Sequence, residues 1–189
     1  MKFSDPYTKE ELIDSVQRIK TNFETVIQNM PDTDFFKRPE TGWSPAENFQ
    51  HIIKVTRLLS LSFSAPKFLA SLVFGEVTNS APRIHQVADV YLDALKKGQN
   101  SGPFTPSKES IEGDSPKRKL ELLSDWNKSW DKYGLAVKDW NEEQLDKILM
   151  PHPFLGKIPA REMYMIGILH PIHHLEIVAK RLGKEWNYF

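Results

Sequence analysis

Leu12, Ile13, Val16, Ile19, Phe23, Val26, Ile27 and Met30 return at spacings of three and four, a rhythm that an amphipathic α-helix turns into one apolar stripe. No other feature constrains the chain as much, because helices with such stripes are stable only when their apolar faces are packed against one another. The first helix is expected over 8–30: Thr8 and Glu11 form a capping box, and Pro31 stands where the periodicity stops. A second helix, 44–64, opens on Ser44-Pro45-Ala46-Glu47, where a serine cap, a proline at the first helical position and a glutamate at the third agree. Its expected apolar face is Ile52, Ile53, Val55, Leu58, Leu59 and Leu61. A third, 115–138, starts at Ser115-Pro116 and turns Leu120, Leu123, Trp126, Trp130, Tyr133 and Val137 inward, the two tryptophans being read as core and not as a ligand cage. A fourth, 159–182, begins near Pro159 with Glu162 in its first turn and runs through Met163, Ile166, Leu169, Ile177 and Val178 to Gly183.

The expected class is therefore all-α, a four-helix bundle whose second and third helices are joined by a long crossover. That crossover spans Pro66 to Asp114, with short helices at 67–74 and 84–97 and a turn-rich stretch at 98–116. It reads equally as a cover over a site or as a plain connection. Pro31 to His51 and Asn141 to His170 share a loose rhythm of acidic turn, proline, glycine and proline-started helix, as a pseudo-twofold bundle would leave. With 189 residues, 40% of them hydrophobic, one domain over 1–189 is expected.

Charge and cysteine usage narrow the function. Lysine plus arginine equals aspartate plus glutamate, 25 against 25, so no net field draws the chain to nucleic acid or to an anionic membrane. The absence of cysteine removes disulfides, thiolate ligands and a cysteine nucleophile. The N-terminus reads as polar from the start, without a signal-peptide core, and no run reaches about 18 apolar residues. A cytoplasmic protein is expected.

Three of the six histidines fall within five positions, His170-Pro171-Ile172-His173-His174. Residues four apart on a helix share a face, with Cβ atoms about 5–6 Å apart, so His170 and His174 can aim at one point. His173, about 100° round the helix from His174, should face elsewhere. A third ligand is needed, and His51, on the strongly capped second helix, is the candidate. Imidazole suits several divalent metals, and an i, i+4 histidine pair also arises by chance. Pro171 adds a local fault inside the helix, freeing the carbonyl of Gly167. His85, His152 and His173 are read as ordinary core or surface residues.

Gly42-Trp43-Ser44-Pro45-Ala46-Glu47 leading to His51-Ile52, then His152-Pro153-Phe154-Leu155-Gly156-Lys157, then His170-x-x-His173-His174-Leu175 resemble the DinB/YfiT-like superfamily over nearly the whole chain. The resemblance implies a divalent metal, zinc or nickel foremost and iron or manganese next, held by His51, His170 and His174. Members of that superfamily include enzymes that use the metal to activate an external low-molecular-weight thiol, in S-transfer or isomerisation, and many others with no established activity; the expected function is a metal-dependent enzyme of a small molecule, a thiol-using S-transferase or a hydrolase. Relatives often carry glutamine where this chain has Glu176. The alternative is a metal-binding stress or interaction protein without turnover, and self-association into a homodimer is left open. A ferritin-like di-iron bundle requires paired Glu-x-x-His motifs, and the zincins require His-Glu-x-x-His; neither occurs. No catalytic acid or base stands out. The two readings part on whether the metal position faces a cleft or is sealed by core side chains.

Overall fold

The computed structural model describes residues 5–97, 102–109 and 115–183. The described chain is mainly helical: α1 Lys9–Asn29, α2 Asp32–Phe35, α3 Pro45–Ser64, α4 Lys67–Phe74, α5 Ile84–Lys96, a 3-10 turn Gly102–Phe104, α6 Ser115–Leu135, α7 Glu142–Lys147, β1 Leu149–His152, β2 Gly156–Pro159 and α8 Ala160–Leu182. Helices α1, α3, α6 and α8 are the long ones, and the core lies among them: α6 packs on α1 and α3, and α8 on both as well as on α5. No single helix among the described residues is long and apolar enough to cross a membrane.

The helix starts follow from their caps. In α1 the Thr8 hydroxyl accepts from the backbone N–H of Glu11, whose carboxylate receives the Thr8 N–H at 3.0 Å. In α3 the reciprocal pair is Ser44 and Glu47, at 3.1 and 2.8 Å, and both side chains are buried. These two boxes satisfy backbone donors that would otherwise be left bare at the helix ends. Trp126 and Trp130 are core, as expected: Trp126 is fully buried between Phe23 and Phe49, with ring centroids 5.3 and 4.7 Å away.

Several expectations need correction. On α3, Leu61 is 69% exposed and Leu58 44%, while the inward stripe is Ile52, Ile53, Thr56, Ser60 and Phe63. Ser60 escapes a hydropathy reading because its hydroxyl donates to the Thr56 carbonyl at 2.8 Å, so it enters the core with its hydrogen bond made inside its own helix. On α6, Leu120 is 67% exposed and Leu122 takes the inward position, and the helix ends at Leu135, before the expected 138. An antiparallel hairpin, β1 with β2, precedes α8; Met150 pairs with Ile158, and both side chains are buried. Two prolines in Pro151-His152-Pro153 mask it from a strand reading. The turn-rich stretch is described only at 102–109 and from 115; its other parts lie outside the described residues.

Two features fix α8, the helix that carries the histidine pair. A Cβ built on Gly167 would meet the Tyr133 hydroxyl at 2.0 Å, so only glycine lets α8 lie this close to α6 one turn before His170. Tyr133 donates to the Tyr164 carbonyl at 2.8 Å across the same contact. At the start of the helix, fully buried Arg161 binds Asp146 and Glu142 at 2.5 Å each and the Tyr7 carbonyl at 2.6 Å, with the Tyr7 ring under its guanidinium. Pro171 is accommodated within the helix, which continues to Leu182.

Candidate metal centre

His51 from α3 and His170 and His174 from α8 meet as three buried imidazoles. The Nε2 of His170 lies 3.1 Å from that of His51 and 3.0 Å from that of His174. Three ligands of a tetrahedral ion at roughly 2.0–2.1 Å would stand about 3.3–3.4 Å apart, so these spacings lie within a few tenths of an ångström of a ligand set.

Hydrogen bonds settle which nitrogen of two rings is free. His51 Nδ1 lies 2.8 Å from the carbonyl of Phe104, which can only accept, so Nδ1 carries the proton. His174 Nδ1 lies 2.8 Å from Asn48 Oδ1. Asn48 is oriented by its own amide, which donates to the carbonyls of Ser44 at 2.8 Å and Trp43 at 3.2 Å, leaving the oxygen for His174. In both rings the Nε2 lone pair is thus the one turned to the common point, the arrangement in which metal-ligating histidines are held by outer partners. Burial depresses the pKa of all three; in His170 and His174 the neighbouring histidines add to it, while in His51 the bond to Phe104 partly opposes it. Neutral imidazoles are the form that binds a cation. Trp43 closes one side, its ring 5.0 Å from His51 and stacked at 6.2 Å on His174.

Residues 102–109 of the crossover are laid along one face of α3. Glu47, Gln50, His51 and Lys54, at successive helical spacings of three, one and three, each hold them: Glu47 takes the Glu109 N–H, Gln50 the Ser107 N–H, His51 donates to Phe104 and Lys54 to Thr105. This segment covers the centre. Glu47, read from its spacing as a cap alone, also pairs with Arg38 at 3.2 Å.

The other histidines divide. His85 is exposed beside Asp5 at 3.5 Å, as an ordinary surface residue. His173 does not join the three, yet it lines the same cavity, of about 800 Å³, onto which the three histidines open. His152 lines that cavity too, and its Nδ1 accepts the backbone N–H groups of Phe154 and Leu155, bracing the hairpin turn. His152 thus keeps its structural reading, as the brace of its turn, and His173 stands off the ligand set as expected. Glu176 is absent from the lining residues. Asn48, Tyr91 and the Phe104 carbonyl went unread in the sequence; only Asn48 left a signal, a polar residue one turn before His51 on a capped helix.

A mainly helical protein with a buried histidine triad that can hold a metal ion is the class this geometry defines. A sequence model of the DinB superfamily matches residues 16–178, most of the chain, and the protein belongs to that family. No curated protein and no solved structure matches the chain at a significant level.

Proposed function

We propose that His51, His170 and His174 bind one divalent ion through Nε2, zinc or nickel before iron or manganese, and that the protein is a metal-dependent enzyme of small molecules, a thiol-dependent S-transferase or a hydrolase. The observation that carries this is the pairing of a preset ligand set with an open cavity: two rings have their Nδ1 atoms occupied, and the three histidines line a space of about 800 Å³. A divalent ion held by three neutral imidazoles keeps a coordination position open and lowers the pKa of a thiol or water that enters it. With no cysteine in the chain, a thiol has to be supplied from outside. The part of the protein is to hold the imidazoles in one tautomer through Asn48 and Phe104 and to keep bulk water off them with Trp43 and the 102–109 segment.

The rival reading, a metal-binding stress or interaction protein without turnover, favours a sealed centre, and a cavity of this size counts against it. We further read the four long helices as the bundle with a long crossover expected of the family, forming one domain over 1–189 in the cytoplasm, with neither nucleic acid nor membrane as partner. The test is metal analysis of protein purified without a histidine tag, followed by a thiol-transfer and ester-hydrolysis screen. One equivalent of metal and turnover lost in His170→Ala is the expected result. Metal without turnover on any thiol or ester would favour the rival, and no metal at all would refute both.

A further inference from the structure

The cavity beside the histidines is apolar along its walls, where Val55, Leu58, Leu59, Leu95, Met163 and Ile166 line it. Lys96 is the one lysine, arginine, aspartate or glutamate among the described lining residues, and it is already paired at the exposed rim with Asp93 at 2.8 Å. Away from the triad a charged group would leave water here without gaining a free partner, whereas an apolar one gains by burial.

Besides the triad, His173, Ser62 and the rim Lys96, two polar side chains stand in the lining, His152 and Tyr91. Because His152 Nδ1 accepts from the N–H groups of Phe154 and Leu155, at 3.4 and 3.3 Å, its neutral ring carries the proton on Nε2. This is the opposite tautomer from that of His51 and His174: a ring built to donate and not to ligate. The Phe154 ring, 4.4 Å away and perpendicular, and Tyr91, at 6.3 Å, hold it in place. Tyr91 also lines the cavity and is only 3% exposed. Among the described residues neither the His152 Nε2 nor the Tyr91 hydroxyl has a hydrogen-bond partner, and neither is among the buried unpartnered polar atoms, so both donors are open to the cavity that these residues line. Burial holds the Tyr91 phenol in its protonated, donating form.

We propose that this cavity binds an uncharged, largely apolar small molecule whose carbonyl oxygen accepts hydrogen bonds from His152 Nε2 and the Tyr91 hydroxyl while its other end reaches the histidine triad. The proposal deepens the reading of the triad as a reactive centre and rests on it for which end reacts. If a thiol is the co-substrate, it is an apolar one, since nothing in the lining matches a chain of carboxylates or ammonium groups.

The probe is prodan, an uncharged naphthyl ketone whose emission moves to the blue in apolar surroundings and to the red when its carbonyl accepts a hydrogen bond. One equivalent should bind, both to the metal-loaded protein and after chelation. Tyr91→Phe removes only the hydroxyl, and His152→Asn keeps an acceptor for the turn while removing the cavity donor. Each should weaken binding about fivefold and shift the emission further to the blue. His152→Gln, whose amide nitrogen falls near Nε2, should retain most of the wild-type affinity. Leu92→Trp, filling the cavity, should abolish binding. Unchanged affinity and emission in both Tyr91→Phe and His152→Asn would overturn the proposal. So would no binding to the wild type, or binding lost in Leu72→Lys on the exposed face of α4 but kept in Leu92→Trp. Because the dye is read with and without metal, a protein that takes it up as expected but holds no ion refutes the metal-centre reading alone. A protein that holds the ion but ignores Tyr91 and His152 refutes this one alone.

Discussion

Asn48→Ala is the sharpest test of how the triad is held. The side chain makes three hydrogen bonds in a buried setting: Oδ1 accepts from His174 at 2.8 Å, and Nδ2 donates to Ser44 and Trp43 at 2.8 and 3.2 Å. At a net value of about 1 kcal/mol each, their loss should cost on the order of 3 kcal/mol of stability. The same change frees the His174 ring to rotate or to move its proton to Nε2, where it would block the lone pair. Outer partners of ligating histidines are worth 10–100-fold in metal affinity, about 1.4–2.7 kcal/mol. Zinc affinity measured against a fluorescent chelator should therefore fall by that factor in Asn48→Ala, alongside the loss read by urea denaturation of the metal-free protein. A control of similar instability but distant from the centre separates the two effects; Arg161→Met, treated below, keeps all three imidazoles and both Nδ1 partners. Should Asn48→Ala lose stability and still bind zinc as tightly as the wild type, the argument that Asn48 sets the tautomer of His174 would be wrong.

His51→Ala, His170→Ala and His174→Ala should each abolish tight metal binding and the metal-dependent rise in melting temperature, while His173→Ala keeps both; a His173→Ala protein that emptied of metal in elemental analysis would redraw the ligand set. Gly167→Ala gains about 1 kcal/mol of helix propensity but drives a methyl to 2.0 Å from the Tyr133 hydroxyl, so it should destabilise by on the order of 1–2 kcal/mol in urea titration, and a neutral or stabilising result would show that α8 can move off α6. Arg161→Met leaves Asp146 without its partner and should cost about 3 kcal/mol, the lower end for a broken buried pair because Glu142 is half exposed; a loss under 1 kcal/mol, by the same titration, would mean the cluster does not anchor α8. Burial pushes His152 down to about 4. The unfolded chain then binds the extra proton first, so the stability this histidine lends is full above about pH 6.5 and is lost as pH falls towards 4. His152→Gln should show a shallower fall in melting temperature over that window, and parallel curves would refute the assignment.

The capping boxes at Thr8 and Ser44 and the paired histidines of α8 were legible because their chemistry is local. A cap joins residues three apart, and an i, i+4 pair shares a face by helix geometry alone. His51 required more: its helix could be read, but its meeting with α8 depended on the packing of α3 and α8, and the expectation for it leaned on family likeness. The errors were errors of environment. Leu58, Leu61 and Leu120 have core chemistry and stand exposed, while Ser60 is buried with its hydroxyl bonded inside its own helix. Hydropathy reports what a residue prefers and not which side of a stripe its neighbours cover.

By itself, then, the sequence determined the long helices, their starts and the residues on α8 able to converge, since periodicity, caps and spacing act within a few turns of chain. Only tertiary structure decided that Phe104 from the crossover and Asn48 would hold two of the rings by Nδ1, and that His152 and His173 would face the cavity. It also set Arg161 into a fully buried ion-pair cluster. Those outcomes come from contacts between residues 15 to more than 120 positions apart, where the partner is chosen by how the helices pack and not by what stands next to it in the chain.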